Sequence, residues 1–344
     1  MDTPNHSPSS APAPAPAGLF VGIDVAKDKL DLARSDADRV RTFANDLAGI
    51  TQVVEMFTGS AAGGAGAAKP VTIVVEATGG LERPLVDALL EAGLSVALVH
   101  PGRVRHFAKG LGILSKTDRI DARVLLRFGQ LAAPRLAERR SANQAELQAL
   151  VVCRRQLNVT RVQQSNRLDA TAASRAAKRS VEAVIKTLDR QIDKLDKQIR
   201  ALIDADDDFR HLDGLLQSVP GVGPTLSATL AAELRELGDT DRRQVGALVG
   251  VAPYNRDSGQ SSGKRAIRGG RTAVRCVLYM ATQAAIRFNP VIRAFSDGLK
   301  ARGKANKVRI VACMRKLLTL LNAMVRDGLT WDQLDVVKKL AVHS

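Results

Sequence analysis

Four acidic residues have the types and spacing that phosphate chemistry needs. Asp24 lies near the end of the apolar run "LFVGIDVA", Glu76 near the end of the strand-like part of "VTIVVEATGG", and Asp118 and Asp121 stand three apart in "KTDRIDAR". Residues three apart share a helix face, and strand ends in an α/β sheet open on the crevice where ligands bind. Converging carboxylates repel one another at neutral pH unless cations sit between them, and hard divalent ions, Mg²⁺ or Mn²⁺, prefer such oxygen ligands. Two such ions about 4 Å apart clamp a phosphodiester for in-line displacement. Singly, each acid has a plainer reading: Asp118 and Asp121 suit a helix start, where the dipole favours negative charge, and Asp24 suits a turn. Glu76 resists it, because an unpaired charge in an apolar run is costly. The other chemical group is "RDSGQSSGKR" (256–265), with Ser258, Ser261 and Ser262. A serine hydroxyl is a weak nucleophile until it is deprotonated or held against an electrophile. Attack on phosphorus builds negative charge, and Arg256, Lys264, Arg265, Arg268, Arg271 and Arg275 stand nearby against a single acid, Asp257. The plainer reading is a solvated surface loop.

The elements that would position these groups follow from periodicity. From Leu19, three strand-like segments separated by short polar breaks read as consecutive antiparallel strands. An amphipathic stretch (46–58) and a flexible connection by composition (59–70) come next. A strand at 71–77, a helix at 81–92 and a strand at 94–100 complete an α/β plan, a mixed sheet covered on both faces. Beyond His100 the chain reads as all-α, with helices at 118–133, 143–175 and 181–202. Val181, Ile185, Leu188, Ile192, Leu195, Ile199 and Leu202 form a heptad seam, predicting a coiled coil between chains or folded back on 143–175. In "SVPGVG" (218–223), Gly221 and Gly223 precede a helix as in a helix-hairpin-helix turn, whose N–H groups take a DNA phosphate without reading bases. A plain helix connection explains the same glycines. The rest, 241–336, is helix-rich around the glycine- and serine-rich stretch, with an apolar helix at 245–252.

Charge narrows the partner. The 344 residues carry a net +16, but residues 1–100 hold 7 basic and 12 acidic side chains, leaving +21 for residues 101–344. A basic remainder beside a mildly acidic start suits a chain lying along nucleic acid. Arg103, Arg105, Lys109, Lys116, Arg119 and Arg123 are placed to hold a DNA or RNA backbone, and phosphate contacts do not distinguish the two. Aromatics at 3% argue against a base-stacking platform. Cys153, Cys276 and Cys313 are isolated and odd in number, which fits a reducing cytoplasm and neither a disulfide framework nor a thiolate metal site. No run approaches the ~18 apolar residues that span a membrane. Residues 1–17, rich in proline and alanine, read as a disordered leader without signal-peptide features.

"GIDVAK" resembles the first phosphate loop of actin-like sugar kinases, but Val-Ala-Lys follows Asp24 where that loop needs small or hydroxyl residues, and no second glycine-rich loop is evident. GIDVAK, VVEATGG, KTDRIDAR, SVPGVG and a late Ser-Gly segment, in this order over 18–336, resemble instead the DEDD-type insertion-sequence transposases. That group pairs a RuvC-like (RNase H-fold) domain with a C-terminal serine transposase domain, and some members are guided by a structured bridge RNA. The resemblance implies Mg²⁺ on Asp24, Glu76, Asp118 and Asp121. In "GVAPYNRDSGQSSG" it implies Ser258 as nucleophile, ahead of Ser261 and Ser262, forming a phosphoserine link to double-stranded DNA. The domains expected are a leader (1–17), a RuvC-like domain (18–135), a helical coiled-coil region (143–205) and a serine transposase domain (211–336). The protein is expected to be cytoplasmic, on the nucleoid when DNA-bound, and a homo-oligomer, dimer or tetramer. A junction-resolving nuclease using water, and a non-catalytic nucleic-acid scaffold, are the competing readings.

Overall fold

A computed structural model describes residues 18–59, 70–113, 117–170, 174–254, 257–258, 261–262 and 266–334. The expected leader, most of the 59–70 connection, Lys116, Arg256, Lys264 and Arg265 lie outside these residues. Two compact units meet in sequence between Arg140 and Ser141.

The first unit is built on strands β1 (Leu19–Val25), β2 (Lys29–Arg34), β3 (Ala37–Ala44), β4 (Val71–Glu76) and β5 (Ser95–Val99). They lie in the order β3-β2-β1-β4-β5, with β1, β2 and β3 antiparallel and β4 and β5 parallel to β1. This is the mixed sheet the alternation predicts, and its order is consistent with an RNase H-like plan. Alternate residues face opposite layers. On one side Val21, Ile23 and Val25 pack with Ile50, Val53 and Phe57 of α1 (Leu47–Thr58) and with Leu85 and Leu89 of α2 (Arg83–Glu91). On the other, Val74, Ala97 and Val99 meet Val104 of α3 (Pro101–Gly110) and Val124, Leu125 and Phe128 of α4 (Asp118–Ala132).

Two glycines set how closely α4 lies on the sheet. A Cβ at Gly22 would stand 2.2 Å from the Ala122 carbonyl oxygen and 2.3 Å from the Leu126 nitrogen; one at Gly129 would stand 2.6 Å from a Val74 methyl. The backbone of α4 therefore rests directly on β1, its first turn above the C-terminal end of that strand.

In the second unit, α5 (Ala142–Ala170) and α6 (Arg175–Ala205) form an antiparallel hairpin. The cross-helix partners Arg161 with Asp189, Arg154 with Asp196 and Asn143 with Asp206 run in opposite directions along the two helices. Of the predicted seam, Ile192 and Ile199 are buried, whereas Val181, Ile185 and Leu188 are only partly so. Burial is concentrated where Ile199 and Ile203 meet Leu147 and Val151, at the end nearest α7 (Asp207–Gln217) and α8 (Pro224–Glu233). Helices α9 (Arg242–Val249), α10 (Thr272–Phe288) and α11 (Pro290–Ala301) enclose Cys313, Leu317, Leu318 and Leu321 of α12 (Asn306–Asp327).

One expectation needs correction. The helix expected to reach residue 252 stops at Val249, because Gly250 takes a left-handed cap conformation with φ 77°. Within the serine-rich stretch, β6 (Pro253–Tyr254) pairs with β9 (Ala266–Ile267), and β7 (Asp257–Ser258) with β8 (Ser261–Ser262). Among the described residues no helix is long and apolar enough to cross a membrane.

Candidate active site

The carboxylates come together through β1 and α4. Asp24 faces Asp31 across the β1–β2 ladder, and Ile23 is level with Val75, so the next rung brings Asp24 beside Glu76. Directly opposite residues project to the same face, here the one that α4 covers. Thr117 starts α4 as a side-chain cap, its hydroxyl accepting from the Ile120 N–H at 3.4 Å, and Asp118 and Asp121 fall in the first turn, where the dipole tolerates them. Seated by Gly22, that turn brings carboxylate oxygens of Asp24, Asp118 and Asp121 all within 4.8 Å of one another. Glu76 does not join this tight group, though its charge acts on it. The Asp24 carboxyl is pushed up from 3.8 to about 6, first by burial and then by the charges of Asp121, Asp118, Glu76 and Asp31. A group of hard oxygens this close together suits a divalent cation of the Mg²⁺ or Mn²⁺ type.

Two participants escaped the sequence reading. Asp31 is 2% exposed and accepts from the Thr42 hydroxyl at 2.5 Å. Lys29 places its ammonium 3.0 Å from Asp31 and 2.7 Å from Asp118, bonds that hold its pKa above the usual lysine value. Both stand at alternate positions of "KLDLA" in β2, a pattern legible in sequence; that it faces Asp24 follows only from the strand register.

The predicted nucleic-acid cations part company. The Arg103 guanidinium lies over the Phe128 ring, 5.5 Å from its centroid, Arg105 is partly buried and engaged, and Arg123 donates to the Asp38 carbonyl at 2.7 Å. The side chain of Arg119, like Lys116, lies outside the description. In the second unit Arg268 is exposed, but Arg271 makes a two-pronged pair with Glu236 at 2.6 and 2.7 Å. Arg275 donates to the carbonyls of Val249, Gly250 and Gly269. In this structure their donors are engaged within the fold. Replacing Arg271 with alanine removes a two-pronged pair from the mostly buried Glu236 and should cost about 2 kcal/mol in urea unfolding.

These contacts close the base of the serine stretch. The Arg271 N–H donates to the Leu248 carbonyl at 2.8 Å, and Gly250 and Gly270 pass so closely that a Cβ on Gly270 would sit 2.3 Å from the Gly250 nitrogen. Beyond this suture, Ser258 is paired by backbone register with Ser261, and Asp257 with Ser262; the side chains of these four residues lie outside the description. Gly221 (φ 95°) touches α10 so tightly that a Cβ would stand 2.5 Å from the Ala285 Cα, so packing alone requires glycine there. Gly223 caps α8 without a side-chain bond and with open space around it.

The chain matches known families along most of this architecture. Residues 21–174 match the DEDD transposase family of IS110, and residues 213–297 match the family described as transposase IS116/IS110/IS902. The pilin gene-inverting protein of Moraxella bovis is 28% identical over 324 residues, covering 91% of this chain and 98% of the relative. Its counterpart in Moraxella lacunata is likewise 28% identical, with the same coverage. A protein of unassigned role from the insertion element IS110 of Streptomyces coelicolor is 32% identical over 139 residues, 39% of this chain and 33% of its own. With the first match spanning all four carboxylates and the second the glycine turn and the serine stretch, the chain belongs to the DEDD-type insertion-sequence transposases of the IS110/IS116 family.

Proposed function

We propose that this protein is the recombinase of an insertion sequence, cutting and rejoining double-stranded DNA with a divalent-metal carboxylate site and a serine nucleophile. The observation that carries the reading is the tight group of Asp24, Asp118 and Asp121, with Asp24 pushed up to about 6 by burial and by the charges of its neighbours. These three, with Glu76 beside Asp24, would hold Mg²⁺ or Mn²⁺; a bound ion of this kind supplies charge stabilisation at a phosphate.

Ser258 is assigned the attack. Its oxygen forms a bond to phosphorus as the bond to one deoxyribose oxygen breaks, and that oxygen departs with the proton. The phosphoserine so formed keeps a phosphodiester, so a different DNA end can reverse the step and be joined without a fresh energy source. Arg256, Lys264, Arg265 and Arg268 flank the serine stretch and suit the charge that builds on the phosphate. The open helix start at Gly223 suits a backbone phosphate, without base reading. The +21 of residues 101–344 suits a polyanion, and a structured guide RNA is part of this proposal beside DNA. A homo-oligomer, dimer or tetramer, belongs to the same proposal.

Ser258→Ala is expected to abolish the protein–DNA adduct seen on denaturing gels while leaving DNA retention on native gels intact. An adduct that persists in this variant moves the nucleophile to another residue, with Ser261→Ala and Ser262→Ala as the next tests. Metal-dependent cleavage with no adduct even in the wild type would identify a water-using nuclease instead.

A further inference from the structure

Lys29 bonds directly to a member of the three-acid group, and its position has a chemical meaning. Its ammonium spans Asp118, at 2.7 Å, and Asp31, at 3.0 Å. Asp118 belongs to the group whose oxygens converge within 4.8 Å; Asp31 does not. The Asp31 side chain is 3% exposed and fixed by Thr42, whereas that of Asp118 is 49% exposed. One end of the bridge is thus anchored in the sheet and the other grips a ligand-type carboxylate open to water. The Lys29 side chain is itself 43% exposed, on a flexible stem with room to withdraw.

From this geometry we infer that Lys29 is a resident counter-cation of the carboxylate site. In the metal-free protein its ammonium neutralises Asp118, and it retreats onto Asp31 when a divalent ion takes that carboxylate. The inference rests on the metal-site reading proposed above and adds a positioning residue to it. Five acids, Asp24, Asp31, Glu76, Asp118 and Asp121, crowd this region; burial first, and then the charges of the other four, push the Asp24 carboxyl up. A tethered ammonium relieves that repulsion without a metal, keeping the first turn of α4 in place. The same ammonium competes with the incoming ion. Lys29 therefore sets a threshold: the site stays ordered when metal is scarce and loads only above the concentration that displaces the lysine.

The test is Mn²⁺ binding to the full-length protein without DNA, followed by the electron paramagnetic resonance of the free ion, with Mg²⁺ as competitor. Wild type, Lys29→Met, Lys29→Gln, Lys29→Arg and Asp24→Asn are compared after each variant's thermal transition confirms that it is folded. Removing one unit charge a few ångströms from a dication in a wet site should tighten binding about tenfold in Lys29→Met and Lys29→Gln. Lys29→Arg, which keeps the charge, should stay near wild type. Unchanged or weaker binding in both neutral variants overturns the inference, since a lysine that merely orients Asp118 would lose affinity when removed. Wild type and Asp24→Asn binding Mn²⁺ alike would instead sink the metal site itself, and the inference with it.

Discussion

Replacing Gly22 with alanine is expected to destabilise the first unit by about 3 kcal/mol or more, because one methyl group would enter space already held by backbone. The added carbon would stand 2.2 Å from the Ala122 carbonyl oxygen and 2.3 Å from the Leu126 nitrogen, and a helix backbone cannot rotate aside as a side chain can. The strain relaxes only if α4 lifts off the sheet, and that movement carries Asp118 and Asp121 away from Asp24. Two readouts should therefore fall together: the urea midpoint of the unit and its affinity for Mn²⁺. Gly110→Ala is the matched control, since a Cβ at the end of α3 meets nothing within 4 Å. A variant at Gly22 with wild-type stability would show that α4 does not rest on β1 as described.

The second large effect concerns Asp24, where stability and activity should move in opposite directions. Its carboxyl ionises near 3.8 in an unfolded chain and near 6 in the folded one, so the folded state binds this proton more tightly. The stabilising contribution of that preference is complete below 3.8 and is lost as pH rises through 6. At neutral pH the ionised Asp24 is thus a liability of about 1–2 kcal/mol, allowing for water that still screens the group. Asp24→Asn should raise the melting temperature at pH 7.5, show little gain at pH 4, and abolish metal-dependent recombination. Equal gains at both pH values would contradict the electrostatic origin. In the wild type, Mn²⁺ affinity should decline as pH falls below 6, where a proton competes for the same oxygens.

Much of this was legible because different physical signals reach a sequence unequally. The alternation in "LFVGIDV" and the apolar run "VTIVVE" report burial directly, so the strands and the acids at their ends could be found one residue at a time. The seam Val181 to Leu202 shows helical periodicity, yet periodicity does not say how deeply each position is buried, and Val181, Ile185 and Leu188 proved only partly covered. Lys29 and Asp31 looked like ordinary polar strand residues because their significance lies outside their own strand, with Asp31 opposite Asp24 and Lys29 bonded to Asp118. Composition counts charges without their partners, so the bonds of Arg271 to Glu236 and of Arg275 to three carbonyls were not legible. Gly221 suggested a phosphate turn, and its close approach to Ala285, a second reason for glycine there, was not legible.

The α5–α6 hairpin has a consequence for how such a chain can change its length. Its cross-helix partners, Arg161 with Asp189 and Arg154 with Asp196, both have residue numbers summing to 350, so each step outward along one helix is matched by a step along the other. An insertion or deletion in one arm alone throws every partner beyond it out of register. Removing seven residues from each arm at matched positions restores both the helical phase and the pairing. The hairpin is therefore a part whose reach can be trimmed or extended in paired heptads, while neither the carboxylate-bearing sheet nor the sutured base of the serine stretch changes a residue.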